Sequence, residues 1–162
     1  QLFRSTHKGR HIVQGEYQLW NEKHVFALKR SIVQRPLEVE ITSENTEIDI
    51  PGGVLRTSVD DASDFNLIND SKYAFFDLNF VSFPLKVRPW RSGDKIRPFG
   101  MKGSQKVSDV LTNAGVPAHK KESYPILELN EEILWVIGIR RSQFAPVSKS
   151  TSRILSFEFK PH

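Results

Sequence analysis

The residues best placed to do chemistry are two glycines among cations. Gly100-Met101-Lys102-Gly103-Ser104 lies between a strand-like segment and the start of an amphipathic one. Glycines let a backbone approach a ligand closely, a helix N-terminus presents unpaired N–H groups, and Lys102 and Lys106 add positive charge. Gly100, Gly103 and Ser104 therefore form a candidate phosphate seat, and a turn that needs glycine only for its geometry is the competing reading. No Gly-Lys-Ser/Thr follows at Walker spacing. Gly-Met-Lys-Gly also fits the GXXG loop of KH domains, but that loop joins two helices and here a strand-like segment comes first.

Charge is distributed unevenly along the chain. Residues 1–35 carry net +5, residues 36–81 net −8 and residues 82–162 net +7, within a total of +4. Between Lys86 and Lys106 lie Lys86, Arg88, Arg91, Lys95, Arg97, Lys102 and Lys106 against Asp94 alone. Such a cluster attracts a polyanion, because each neutralised phosphate releases condensed counterions. The candidate phosphate partners are Lys86, Arg88, Arg91, Arg97, Lys102 and Lys106, with Arg140 and Arg141 at the rim. A solvated strand face is the bland alternative, and Arg97 and Asp94 are close enough in sequence to pair with each other. Trp90, between Arg88 and Arg91, is read as a small core anchor, with stacking on an exposed base as the alternative.

Other constellations fail. His7 and His11 have no third ligand at suitable spacing. Asp60, Asp61 and Asp64 lack calcium-loop spacing and read as a solvated turn. No Gly-x-Ser-x-Gly elbow is present, and Glu131-Glu132 falls in a turn. Cysteine is absent, which excludes disulfides, thiolate catalysis and Cys-based zinc sites and suits a reducing cytoplasm. The expectation is neither a catalytic site nor a metal site in this chain.

The elements that must hold these residues are mostly short strands. Tyr17–Trp20 and His24–Leu28 flank a polar turn, Leu37–Ile41 alternates apolar and acidic residues, and Pro51-Gly52-Gly53 precedes a strand at 54–59. Further strands are expected at 85–88, 95–98, 126–129, 133–139 and 154–159, with a hairpin turn at 130–132 and Trp135 in the core. Val107, Val110, Leu111 and Ala114 recur at helical spacing, which predicts one helix capped by Ser104 and closed by Gly115 and Pro117. The 162 residues, 38% hydrophobic and 26% charged, suit one ordinary domain or two small ones. No apolar run approaches the roughly 18–20 residues that span a bilayer, so no membrane partner is expected. Residue 1 is Gln and the only methionine is Met101, so the chain is expected to be a fragment or processed product.

Pro84-Leu85-Lys86-Val87-Arg88 and Trp90-Arg91-Ser92-Gly93-Asp94-Lys95-Ile96-Arg97-Pro98-Phe99-Gly100-Met101-Lys102-Gly103 resemble the C-terminal domain of bacterial tRNA(Ile)-lysidine synthases. The similarity continues through Lys106–Leu111, Pro125-Ile126-Leu127 and Ile133–Arg140, and Thr151, Leu155 and Phe157 fit the closing strand. It covers residues 84–159. The first 80 residues match loosely, with Ser5-Thr6-His7 the nearest to a family signature. The resemblance implies a parent ligase that uses ATP, with magnesium, to join lysine to the wobble cytidine of an isoleucine tRNA. That chemistry belongs to an N-terminal domain with a Ser-Gly-Gly-x-Asp-Ser pyrophosphate loop. Pro51-Gly52-Gly53-Val54 lacks its serines and aspartate, so no cofactor is expected here.

The expected fold class is α+β: mostly antiparallel sheets with a short amphipathic helix packed on them, in two small subdomains. The expected domains are a β-rich region at 1–80 and a tRNA-binding domain at 81–162. The expected partners are tRNA and the chain's own N-terminal catalytic domain, in the cytoplasm. A second reading makes the chain a non-catalytic packing module for that domain or for a second subunit, a homodimer included. The net −8 of residues 36–81 favours it, since acid repels RNA and suits a basic protein.

Overall fold

The computed structural model describes residues 11–14, 17–22, 25–30, 38–66 and 68–162. The expectations at Ser5-Thr6-His7, His24 and Leu37 lie outside these residues. A three-stranded antiparallel meander comes first, β1 (His11–Gln14), β2 (Tyr17–Glu22) and β3 (Val25–Arg30). Then follow β4 (Val39–Ile41), β5 (Glu47–Ile50), β6 (Gly53–Asp61), β7 (Tyr73–Asp77), β8 (Leu85–Pro89), β9 (Lys95–Ile96) and β10 (Gln105–Lys106). The chain closes with α1 (Val107–Asn113), α2 (Ala118–Lys121), β11 (Pro125–Leu129), β12 (Glu132–Val136), β13 (Arg140–Arg141) and β14 (Arg153–Pro161).

Two larger sheets dominate, with orders β13-β12-β11-β8-β4 and β5-β6-β14-β7. Every strand pair among the described residues is antiparallel, as the short connections require. The inner faces meet in one apolar core that joins Ile41, Leu85, Val87, Leu127 and Trp135 to Leu55, Phe76, Leu155 and Phe157. A second core lies on the other face of the five-stranded sheet, where α1 packs Val107, Val110 and Leu111 against Ile96, Ile126, Ile133 and Val136. Burying each such side chain contributes about 1.5–3 kcal/mol. A register shift between Leu127 and Glu128 lets β12 serve both cores, with Trp135 and Leu134 in the first and Ile133 and Val136 in the second. Asn130 and Glu131, both at positive φ (47° and 69°), make the tight turn between β11 and β12.

Several expectations change. Both sheets cross the boundary expected at residues 80/81: β4 pairs with β8, and β14 lies between β6 and β7. Residues 39–161 are thus interleaved by backbone pairing, because the closing strand finds its partners at 53–61 and 73–77 rather than near itself in sequence. The helix starts at Val107 with Lys106 at the N-cap and no side-chain cap. Ser104 instead lies before β10, in the loop of a β9–β10 hairpin. Ala114 is exposed, since the seven-residue helix ends before it. Asp60 and Asp61 end β6, and the Asp60 carboxylate accepts hydrogen bonds from Ser58 and Ser156.

Candidate nucleic-acid interface

The β9–β10 hairpin carries the candidate loop. Ile96 is buried under α1, so its neighbour Lys95 points to the opposite side. In register, Lys95 stands directly across from Lys106. Directly opposed residues have Cβ atoms about 4.5–5.5 Å apart, and like charges there are destabilising by up to about 1 kcal/mol. Both lysines are exposed, and among the described residues neither has a carboxylate partner. Gly100 (φ 77°) and Gly103 (φ 86°) turn the chain between the two strands and hold exposed Lys102 at the tip. The loop is therefore a hairpin tip rather than a helix N-terminus, and its positive field comes from the three lysines.

The hairpin is anchored along its other side. Pro98 bridges Ser142, Phe99 N–H donates to the Arg141 carbonyl (3.0 Å), and Gln143 N–H donates to the Arg97 carbonyl (2.8 Å). That pairing brings Arg97 and Phe99 beside the stretch that carries Arg140 and Arg141, although some 40 residues separate them. The Arg141 guanidinium lies 3.9 Å from the Phe99 ring centroid and donates to the Phe75 carbonyl (3.3 Å). Burial lowers its pKa.

Arg88 leaves the candidate set. It is 6% exposed on the α1 side of the sheet, with Asp94 2.8 Å and Glu128 2.5 Å from its guanidinium. Burial alone would lower the Arg88 pKa, but hydrogen bonds and charge from Asp94 and Glu128 reverse this and raise it. Asp94 is the mirror case: burial would raise it, and the Arg88 guanidinium and the Arg91 N–H bring it below the usual carboxylate range. Asp94 thus pairs with Arg88 and not with Arg97, which lies 3.8 Å from Glu132. Arg91 pairs with Glu38 across the sheet edge. Lys86 stands in register between Glu40 and Glu128, beside Asn130 and Glu131, so its surroundings are acidic. Trp90 packs on the second core and its indole N–H donates to the Lys121 carbonyl at 2.5 Å; it is an anchor, not a free stacking platform.

Sequence reasoning missed Lys95 as a site residue, and it missed Phe99 and Tyr73. The signal for Lys95 was its place opposite Lys106 across a glycine hairpin. Phe99 had the signal of an aromatic beside Arg97 and Gly100, but its exposure and its contact with Arg141 come from a long-range pairing. The Pro51-Gly52-Gly53 stretch is the tight β5–β6 turn. A Cβ on Gly53 would lie 2.2 Å from the Lys160 carbonyl oxygen, so these residues do not fit an ATP pyrophosphate loop.

Residues 85–157 match the family model described as the TilS substrate C-terminal domain. The chain is 30% identical over 158 residues to a tRNA(Ile)-lysidine synthase of Parabacteroides distasonis, covering 98% of this chain and 34% of that protein. It is 30% identical over 108 residues to the enzyme of Caldanaerobacter subterraneus subsp. tengcongensis, covering 66% of this chain and 23% of that protein. Against that of Geobacter sulfurreducens it is 39% identical over 75 residues, 46% of this chain and 16% of that protein. The chain thus spans about a third or less of these curated relatives. A crystal structure of a TILS C-terminal domain superposes with a TM-score of 0.71 at 22% identity, covering 78% of this chain and 98% of that one, which shows a shared fold. Residues 85–157 match a TilS substrate C-terminal domain, and the chain as a whole is similar to about a third of the length of a bacterial tRNA(Ile)-lysidine synthase.

Proposed function

We propose that this chain is the tRNA-recognition part of a tRNA(Ile)-lysidine synthase, working in the cytoplasm. The parent ligates lysine to the wobble cytidine at the expense of ATP. Bond-making belongs to an N-terminal catalytic domain, and the chain alone turns over nothing. One coincidence carries the reading: the uncompensated lysines Lys95, Lys102 and Lys106 lie inside the segment matched by the family model. An anion between Lys95 and Lys106 turns their repulsion into a clamp, and RNA phosphates are anions at the right density. Arg140 extends this surface; Arg97, Arg91 and Lys86 contribute less, because each already faces carboxylates. The net −8 of residues 36–81, which favours a basic protein partner, is answered in part within the chain: Glu38 pairs with Arg91 and Glu44 with Arg153 from outside the segment, and Glu47 pairs with Arg56 inside it.

The test is filter binding of the chain to an isoleucine tRNA transcript between about 50 and 300 mM salt. Engagement of about four phosphates gives a slope of −3 to −4 in log affinity against log salt. A flat response refutes the reading. So does release of product by the isolated chain given tRNA, lysine and ATP.

A further inference from the structure

Beside the hairpin, on the side of β13, lies a cleft of about 470 Å³. Its walls differ in chemistry. One is apolar and aromatic: Phe99, Tyr73 and Ile68. Another is cationic, Arg140 and Arg141, and the third is the polar turn Asn69-Asp70-Ser71. Phe99 and Ile68 are 46% and 49% exposed, two of the four large apolar side chains left in water among the described residues. One face of Phe99 is occupied by Arg141. Tyr73 is held by its hydroxyl on Glu158 (3.1 Å) and lies parallel to Phe75, with an interplanar angle of 11°. Arg141 spends one N–H on the Phe75 carbonyl and has no carboxylate partner among the described residues. The aromatic rings and the guanidinium are thus fixed before any ligand arrives.

Paired RNA does not use such walls, because its bases are stacked inside the helix and present only edges and phosphates. An unpaired nucleotide uses all three: its base stacks on an aromatic or guanidinium plane, its edge meets polar groups, and its phosphate meets a cation. The volume falls in the range of ligand sites. We infer that this cleft is a subsite for one unpaired nucleotide, whose base lies against Phe99 and whose phosphate meets Arg140. The subsite rests on the RNA-binding reading above and adds to it a demand for single-stranded RNA next to the duplex that the lysines hold.

The experiment compares three RNAs on the whole chain by fluorescence anisotropy: a blunt duplex, the same duplex with a short 3′ overhang, and the intact tRNA transcript. The overhang strengthens binding, and Phe99→Ala removes that gain, a loss of roughly five- to hundredfold by the measured worth of base–aromatic stacking. Phe99→Trp keeps the gain, which separates stacking from mere folding. Arg140→Ala weakens overhang binding and lowers its salt slope by about one phosphate. If blunt and overhang RNAs bind alike and Phe99→Ala changes neither, the subsite is refuted while salt-sensitive tRNA binding still stands. If no RNA binds at all, the broader reading fails with it.

Discussion

Replacing Arg88 by methionine separates a cation that holds the fold from the cations proposed to hold RNA. Arg88, Asp94 and Glu128 have side chains 7%, 14% and 12% exposed, and both carboxylates lie within 2.8 Å of the guanidinium. Removing one partner of a buried pair leaves uncompensated charge and costs about 3–5 kcal/mol. The Arg91–Glu38 pair, 65% and 42% exposed, contributes only about 0–1 kcal/mol. Arg88→Met is therefore expected to destabilise by about 3–5 kcal/mol, a fall in Tm of roughly 6–20 °C for a chain of this size, while Arg91→Met is close to neutral. Urea unfolding followed by tryptophan fluorescence reads this, with Trp135 buried between the sheets. Neutralising the stranded acids as well, with Asp94→Asn and Glu128→Gln, restores part of the loss. The pH dependence has a definite sign. Folding depresses the Asp94 carboxyl, so its contribution is complete above the ordinary carboxylate range and is lost as pH falls through the lower folded value. If Arg88→Met unfolds within about 1 kcal/mol of the parent, yet binds tRNA tenfold more weakly where both are folded, the assignment of Arg88 to the interior is wrong.

Three further outcomes are expected. Lys95→Ala, Lys102→Ala and Lys106→Ala together reduce the salt slope of tRNA binding by about 2–3, and leave Tm unchanged or slightly raised as the Lys95–Lys106 repulsion is removed; filter binding and calorimetry read the two halves. Gly53→Ala drives a Cβ to 2.2 Å from the Lys160 carbonyl and destabilises by about 1–3 kcal/mol or more in urea unfolding, since backbone gives way less readily than a side chain. Thr151→Val takes a 2.7 Å hydrogen bond from buried Asp77 and an acceptor from Ser148 N–H, a cost of about 1–3 kcal/mol by the same measurement.

Local periodicity sufficed wherever neighbours in sequence are neighbours in space. The helix announces itself through Val107, Val110 and Leu111, and the β11–β12 hairpin through two apolar runs around Asn130 and Glu131. Strands β8 and β14 also lie where alternation puts them, within a residue or two. What alternation does not encode is the choice of partner. β14 reads the same whether it pairs within the last half of the chain or, as it does, between β6 and β7. The short pieces β10 and β13 have no period to detect: β10 is a strand through its pairing with β9 across the turn at Gly100 and Gly103, and β13 through its pairing with β12, beside residues 97–99. Ser104 suits a helix cap by composition alone, but it precedes a two-residue ladder of Gln105 and Lys106 on Ile96 and Lys95, set by Ile96 packing under α1.

The charge pattern shows the same limit in a form that bears on function. A count of cations along the sequence treats arginine and lysine alike, and the fold does not. Across residues 38–66 and 68–162, five of the seven arginines (Arg56, Arg88, Arg91, Arg97 and Arg153) lie within ion-pair distance of a carboxylate. Of the nine lysines in the same stretches only Lys160 does, beside Glu158. A planar guanidinium matches a carboxylate with two donors and is weakly hydrated, so interleaving acidic and basic stretches consumes arginine first. The basic focus read from the sequence is therefore real in sum but shifted in place. Its arginines largely hold the chain together, and the positive charge still open to a polyanion is the lysine hairpin with Arg140 beside it.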